Sequence, residues 1–203
     1  NNKLTDVSAL ASIMQINELY LGGNHIRDIS ALSELTHLEK LSLRGNPITD
    51  DVSVLAKLKD LRWLFLKGNK ITDASVLAAL NRLEFLNLRD NRIDNVCALA
   101  QLNNLKKLYL SNNKLTDVSA LAELKQLTVL ALGGNHIRDI SALSELTHLK
   151  ELTLGKNPIT DVRALAELKQ LTVLTLQGTP LSEVKLDSLR KALPDCKILP
   201  TAL

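Results

Sequence analysis

Apolar and polar positions along this chain follow one frame, repeated from end to end. It reads L-x-x-L-x-L-x-x-N-x-I, as in Leu38, Leu41, Leu43, Asn46 and Ile48, and continues x-D-V-S-x-L-x-x-L, as in Asp117, Val118, Ser119, Leu121 and Leu124. Asn recurs at positions 2, 24, 46, 69, 91, 113, 135 and 157, with Thr179 in the next slot. The step is 22 residues except for one of 23, where the doublet Asp50 and Asp51 supplies the extra residue. Two leucines one residue apart, such as Leu64 and Leu66 or Leu86 and Leu88, have the period of a short strand with one buried face. An aspartate falls four residues after most of the asparagines and predicts the cap of a short helical or 3-10 turn on the opposite side. No single copy can bury its own leucines, so neighbours must stack. A buried Asn needs a partner for every donor and acceptor. A column of them, one coil apart, is predicted to serve the backbone of adjacent coils.

These residues resemble the leucine-rich-repeat family, in its short 22-residue class found in bacterial internalin-type proteins, and the resemblance covers essentially the whole chain. It implies an α/β solenoid: a right-handed horseshoe with a parallel concave sheet, short helical or 3-10 turns on the convex side and a C-terminal helical cap. Residues 1–181 are read as the repeats, about eight coils with the first partial, and 182–203 as the capping segment. In the latter, Leu186, Leu189 and Leu193 share one helical face, and Pro194 stops the helix. Nothing comparable precedes the first repeat, so the strand near Leu19 to Leu21 is predicted to leave an open edge, to which a second chain could add. Residues 1–11 are identical to 112–122, and 22–38 to 133–149, so a block of five repeats has been copied.

Composition sharpens this picture in one respect. The chain of 203 residues has only five aromatics, and its apolar share is otherwise mostly Leu, Ile, Val and Ala, which suits a core too narrow for rings. All five rings fall outside the leucine slots. The residue before the first strand leucine forms an outer column: Glu18, Lys40, Trp63, Phe85, Lys107, Val129, Glu151, Val173. The residue between the strand leucines forms a central column: Tyr20, Ser42, Phe65, Asn87, Tyr109, Ala131, Thr153, Thr175. A third column follows: Gly22, Arg44, Lys67, Arg89, Ser111, Gly133, Gly155, Gln177. Trp63 and Phe85 are therefore next-strand neighbours in one column. Phe65 and Tyr109 stand beside them, and Arg44, Lys67, Arg89 and Lys107 form a basic fringe. Exposed rings beside Arg are enriched where binding energy concentrates. Cross-strand pairing of rings also stabilises a sheet without any ligand. The expected partner-binding residues are Tyr20, Arg44, Trp63, Phe65, Lys67, Phe85, Asn87, Arg89, Lys107 and Tyr109.

The remaining chemistry is sparse. A net charge of +3 from 25 basic and 22 acidic residues is a mixed surface and not a nucleic-acid footprint. No apolar run is long enough to cross a membrane as a helix. No signal peptide is legible, and the Met-less start "NNKL" is expected to be a trimmed or processed end. Cys97 and Cys196 are too few for a disulfide scaffold and too far apart to pair, so no disulfide is expected. His25 and His37 are duplicated as His136 and His148, five repeats away, and read as loop residues copied with the block. The glycines sit in the slots where the chain leaves the strand and read as turn residues. No catalytic residue, metal site or cofactor is expected.

The expected role is a non-enzymatic module that binds a protein or peptide on the concave sheet, with an acidic partner suggested by the basic fringe. What the family resemblance implies is protein–protein interaction. Two alternatives stay open: a targeting segment of a larger enzyme or regulator, and an engineered repeat scaffold without a natural ligand. Self-association, through the open edge or the aromatic patch, is a further one.

Overall fold

The computed structural model describes residues 2–49 and 51–199. Asp50, half of the doublet that lengthens one repeat, and residues 200–203 of the capping segment lie outside the described residues. Three-residue strands form where the pattern places paired leucines: β1 (Glu18–Tyr20), β2 (Lys40–Ser42), β3 (Trp63–Phe65), β4 (Phe85–Asn87), β5 (Lys107–Tyr109), β6 (Val129–Ala131), β7 (Glu151–Thr153) and β8 (Val173–Thr175). A further strand, β9 (Lys197–Leu199), follows the helix α1 (Glu183–Ala192). The strands make one parallel sheet in sequence order, so each coil pairs only with its neighbours.

The register is the repeat itself. Leu19, Leu41, Leu64, Leu86, Leu108, Leu130, Leu152 and Leu174 pair in succession across the sheet. The longer step of 23 residues does not disturb this order: β2 still pairs Leu41 with Leu64. Leucines at both strand slots are sealed from solvent from Leu41 onward, in one continuous core with Ile48, Ile71, Ile93 and their equivalents. At the first coil the seal is incomplete: Leu4, Ile13 and Met14 are exposed.

Each coil crosses the convex side in a five-residue 3-10 turn, such as Ser30–Glu34, Ser75–Ala79 and Ser119–Glu123. The predicted aspartates do start these turns, but from one residue further out than a helix N-cap. Asp28 Oδ1 accepts the Ser30 backbone N–H at 2.8 Å, Asp117 that of Ser119 at 2.8 Å, and Asp161 that of Arg163 at 3.0 Å. This is an Asx turn leading into the 3-10 segment. Asn95 makes the same bond to Cys97, at 2.8 Å.

The asparagine column holds one coil to the next. Asn91 Nδ2 donates to Leu88 O of its own coil and to Leu66 O of the preceding coil, both at 3.0 Å. Its Oδ1 accepts the Ile71 backbone N–H at 3.1 Å. Asn46, Asn69, Asn113, Asn135 and Asn157 repeat the arrangement. Each amide therefore gives one buried N–H its acceptor and shares buried carbonyls with the amides of the neighbouring coils, as Asn91 shares Leu66 O with Asn69 and Leu88 O with Asn113.

Two residues past the second strand leucine the chain turns with positive φ. Gly23, Gly45, Gly68, Gly134 and Gly178 occupy this slot, and so do Asp90, Asn112 and Lys156 at φ 56, 58 and 56°. Glycine takes such a conformation without steric cost, whereas Lys does not.

The C-terminal coil departs from the frame and still completes it. Leu186, Leu189 and Leu193 are buried against the last repeat, while Val184, Lys185, Asp187 and Arg190 face outward. The helix ends at Ala192, ahead of Pro194. The chain then returns as β9, with Ile198 in the leucine slot opposite Leu174. Cys196 donates its N–H to Leu193 O at 3.2 Å, the turn that Leu171 makes to Leu168 at 3.0 Å in the coil before. The pattern of leucines gave no sign of this last strand.

Candidate functional site

The strand leucines point into the core, so the residues flanking them lie together on the other face of the sheet. The register places Lys40 beside Trp63, Trp63 beside Phe85, and Phe85 beside Lys107 in the outer column. It places Tyr20 beside Ser42, Ser42 beside Phe65, Phe65 beside Asn87, and Asn87 beside Tyr109 in the central one.

Ring contacts do not follow the columns. Phe85 packs diagonally against Phe65, with centroids 4.6 Å apart, and against Tyr109 on the other side at 5.3 Å. The two contacts are tilted by 35° and 39°, within the range aromatic pairs favour. The three rings form a zigzag over β3, β4 and β5, each half-buried by the others. Trp63 is half-buried as well, but its ring carries the Arg62 guanidinium, 4.8 Å from the centroid. Arg62 in turn binds Glu84, which Lys106 also reaches at 2.7 Å. These bonds, from Lys106 first and Arg62 second, hold the Glu84 carboxyl below its usual range. Arg62 was not among the expected site residues. The signal for it was a further column, Glu39, Arg62, Glu84, Lys106, whose signs alternate from coil to coil.

Tyr20 lies apart from this group. It is 57% exposed, separated from Phe65 by Ser42, and its hydroxyl donates to Glu18 Oε2 at 2.5 Å. Lys40 covers its ring at 5.2 Å. Asn87 is tied locally, its Oδ1 accepting the Arg89 backbone N–H at 3.1 Å.

The basic fringe is uneven. Lys67 pairs with Asp90 at 3.5 Å, and Asn112 donates to the other oxygen of that carboxylate at 2.6 Å. Arg44, Arg89 and Lys107 form no ion pair among the described residues. Arg44 and Lys107 are exposed, whereas Arg89 is half-buried. Tyr109 feels three influences: burial pushes its phenol up, Glu151 adds to that, and the Arg89 charge opposes it.

Beyond Tyr109 the floor is made of small residues. Val129 and Ala131 are each only 8% exposed, and Gly133 and Gly155 are buried beside them. A Cβ at Gly155 would sit 2.5 Å from Gln177 O, so glycine is required there by the approach of the next coil. Cys97 is exposed at the start of a convex turn and Cys196 half-buried in the last coil; both are free thiols. No helix among the described residues is long and apolar enough to cross a membrane.

The repeat family described as Leucine Rich repeats (2 copies) matches residues 15–57, 59–101 and 103–145, and that described as Leucine Rich repeat matches 145–162. A comparison with curated proteins finds no match. Among solved structures, the internalin InlF of Listeria monocytogenes superimposes with a TM-score of 0.94 at 37% identity, over 98% of this chain and 58% of that one. The chain thus spans little more than half the length of that relative. Internalin C2 of the same organism gives 0.84 at 38% identity, over 87% of this chain and 78% of the other. The ectodomain of the Arabidopsis thaliana receptor kinase GASSHO1/SCHENGEN3, solved in complex with CASPARIAN STRIP INTEGRITY FACTOR 2, gives 0.75 at 27% identity, over 86% of this chain and 22% of that one.

Proposed function

The chain belongs to the leucine-rich-repeat family and is similar to bacterial internalins, and on that footing we propose that it is a non-enzymatic recognition module whose concave sheet binds a protein or peptide. One observation carries the reading: every aromatic side chain of the protein stands on the outward face of the sheet, and three of them form a continuous zigzag there. None of the five is needed for the core, which is closed by aliphatic residues alone. Rings that are half-buried and rigid lose little freedom when covered, which suits them as anchors. The solved complex of the similar Arabidopsis ectodomain supports the reading, since a related fold there holds a second chain.

The docking surface comprises Trp63, Phe65, Phe85 and Tyr109, with Tyr20 as an outlying ring and Asn87 between the two central rings. Its cations are Arg44, Arg89 and Lys107, and they favour an acidic partner. Lys67, already neutralised by Asp90, contributes its stem and not its charge. Residues 182–203 act as the capping segment of 1–181. The test is affinity capture with the wild-type chain and with a Phe65→Ala/Phe85→Ala double variant, read by mass spectrometry. Partners held by the first and lost by the second, with the solenoid intact by circular dichroism, are the expected result. Identical captures would sink the reading.

A further inference from the structure

Arg89 differs from the paired cations of the molecule. Arg62, Lys67, Arg163 and Arg190 each reach a carboxylate, at Glu84, Asp90, Asp161 and Asp187. Arg89 reaches none among the described residues, and its Nε is shut off from solvent without a hydrogen-bond partner. That N–H faces the protein, out of reach of an incoming segment, whereas the two terminal nitrogens of the guanidinium are not enclosed in this way and have no partner among the described residues. The carboxylate of the next residue in the chain, Asp90, is occupied by Lys67 and Asn112. The Arg89 side chain lies within electrostatic reach of the Tyr109 phenol and so stands at the edge of the ring zigzag.

We propose that Arg89 sets the specificity of this face, receiving an Asp or Glu side chain from an extended protein segment whose neighbouring large apolar side chain rests on Phe65, Phe85 and Tyr109. The inference rests on the concave face being the docking surface. A guanidinium presents a planar fork that matches a carboxylate, and fixed geometry of this kind selects more sharply than a mobile ammonium. Arg89 and the central ring column are one strand step of two residues apart, about 7 Å. The acidic residue and the apolar anchor are therefore one or two positions apart in the bound segment. The segment is internal and not a chain end, because the floor stays open past Arg89 on the side of Ser111 and the chain can run on there. Ser111, Gly133 and Gly155 continue its column in one direction without a long side chain to block passage. On the other side stand two long cations, Lys67 held by Asp90 and then the exposed Arg44.

The experiment selects random linear peptides displayed on phage against the wild-type chain, then measures the winners, made as synthetic peptides with amidated C-termini, on variants. The expected winners carry Asp or Glu within two positions of a large apolar residue. They weaken by about tenfold or more on Arg89→Gln, and Arg89→Lys restores only part of that affinity. The melting temperature of Arg89→Gln stays level or rises, since the variant removes an enclosed N–H that has no acceptor. Winners that depend on Phe85 but lack an acid, or tolerate Arg89→Gln, overturn the role of Arg89 and leave the docking surface standing. Winners that bind only with a free C-terminus overturn the internal carboxylate. Winners indifferent to both Phe85→Ala and Arg89→Gln, or none at all, overturn the docking surface together with this proposal.

Discussion

Phe85 packs its ring on Phe65, 4.6 Å away and diagonal to it, although the residue opposite Phe85 in the register is Trp63. The diagonal is what allows a third ring, Tyr109, to join from the far side. Trp63 is left to pair with Arg62 instead.

This division predicts unequal costs of truncation. Phe85→Ala breaks two ring contacts and is expected to lose about 1–3 kcal/mol, taking roughly 0.5–1.5 kcal/mol per pair. Trp63→Ala removes one half-exposed cation–π contact, for which roughly 0.5–1 kcal/mol is expected. Urea unfolding of the two variants measures the difference, and equal losses would show that the zigzag has no energetic meaning.

The asparagine column predicts a larger effect. Asn91→Leu strands the Ile71 N–H in the core and takes one of two donors from each of the Leu66 and Leu88 carbonyls, which keep Asn69 and Asn113. With about 1–3 kcal/mol for the N–H left unpaired and about 0.5–1.5 kcal/mol for each of the two other hydrogen bonds lost, a loss of several kcal/mol is expected, offset in part where water enters. An unchanged denaturation midpoint would refute the account of the column.

Lys156 holds φ at 56° in a slot that glycine fills in five other coils. Lys156→Gly is expected to raise stability by about 0.5–1 kcal/mol, because relief of the left-handed strain outweighs the freedom glycine adds to the unfolded chain. The same measurement on Gly134→Ala, at φ 69°, should show a loss.

Acid should weaken the convex turns. Asp161 is lowered to about 2, through hydrogen bonds from the Arg163 side chain and then its backbone, and Asp6, Asp28, Asp117 and Asp139 are lowered chiefly by serine backbone N–H groups. A carboxyl whose folded pKa is depressed adds stability that is fully present above its unfolded pKa and is lost as pH falls through the folded one. For Asp161 the window runs from the ordinary 3.8 down to about 2. Melting temperatures taken across that range should fall, and Asp161→Asn, which keeps the acceptor but cannot titrate, should fall less steeply.

Most of the fold was legible because the period of 22 and the strand period of two are backbone properties, and the register follows from them. The membership of the outward face was legible for the same reason. What side chains do on that face was not. Rotamers, which columns cannot express, decide that Phe85 crosses to Phe65 and that Arg89 turns its Nε inward. The neutralisation of Lys67 was hidden because Asp90 fills a slot that reads as a turn glycine. The last strand was hidden because Cys196 and Ile198 stand where the frame expects leucines.

The amide clamps also fix how the molecule would yield to force. Each joins one coil to its predecessor across 25 residues of chain, as Asn91 to Leu66 and Asn135 to Leu110 do. Pulled by its two ends, the solenoid loads these clamps in series and not together, so the weakest gives way alone. Rupture should then proceed as a staircase, each step paying out a coil of 22 residues, or roughly 75 Å of extended chain. A protein whose contacts join distant parts of the chain would snap in a single event; this one, tied only from coil to coil, is built to unreel.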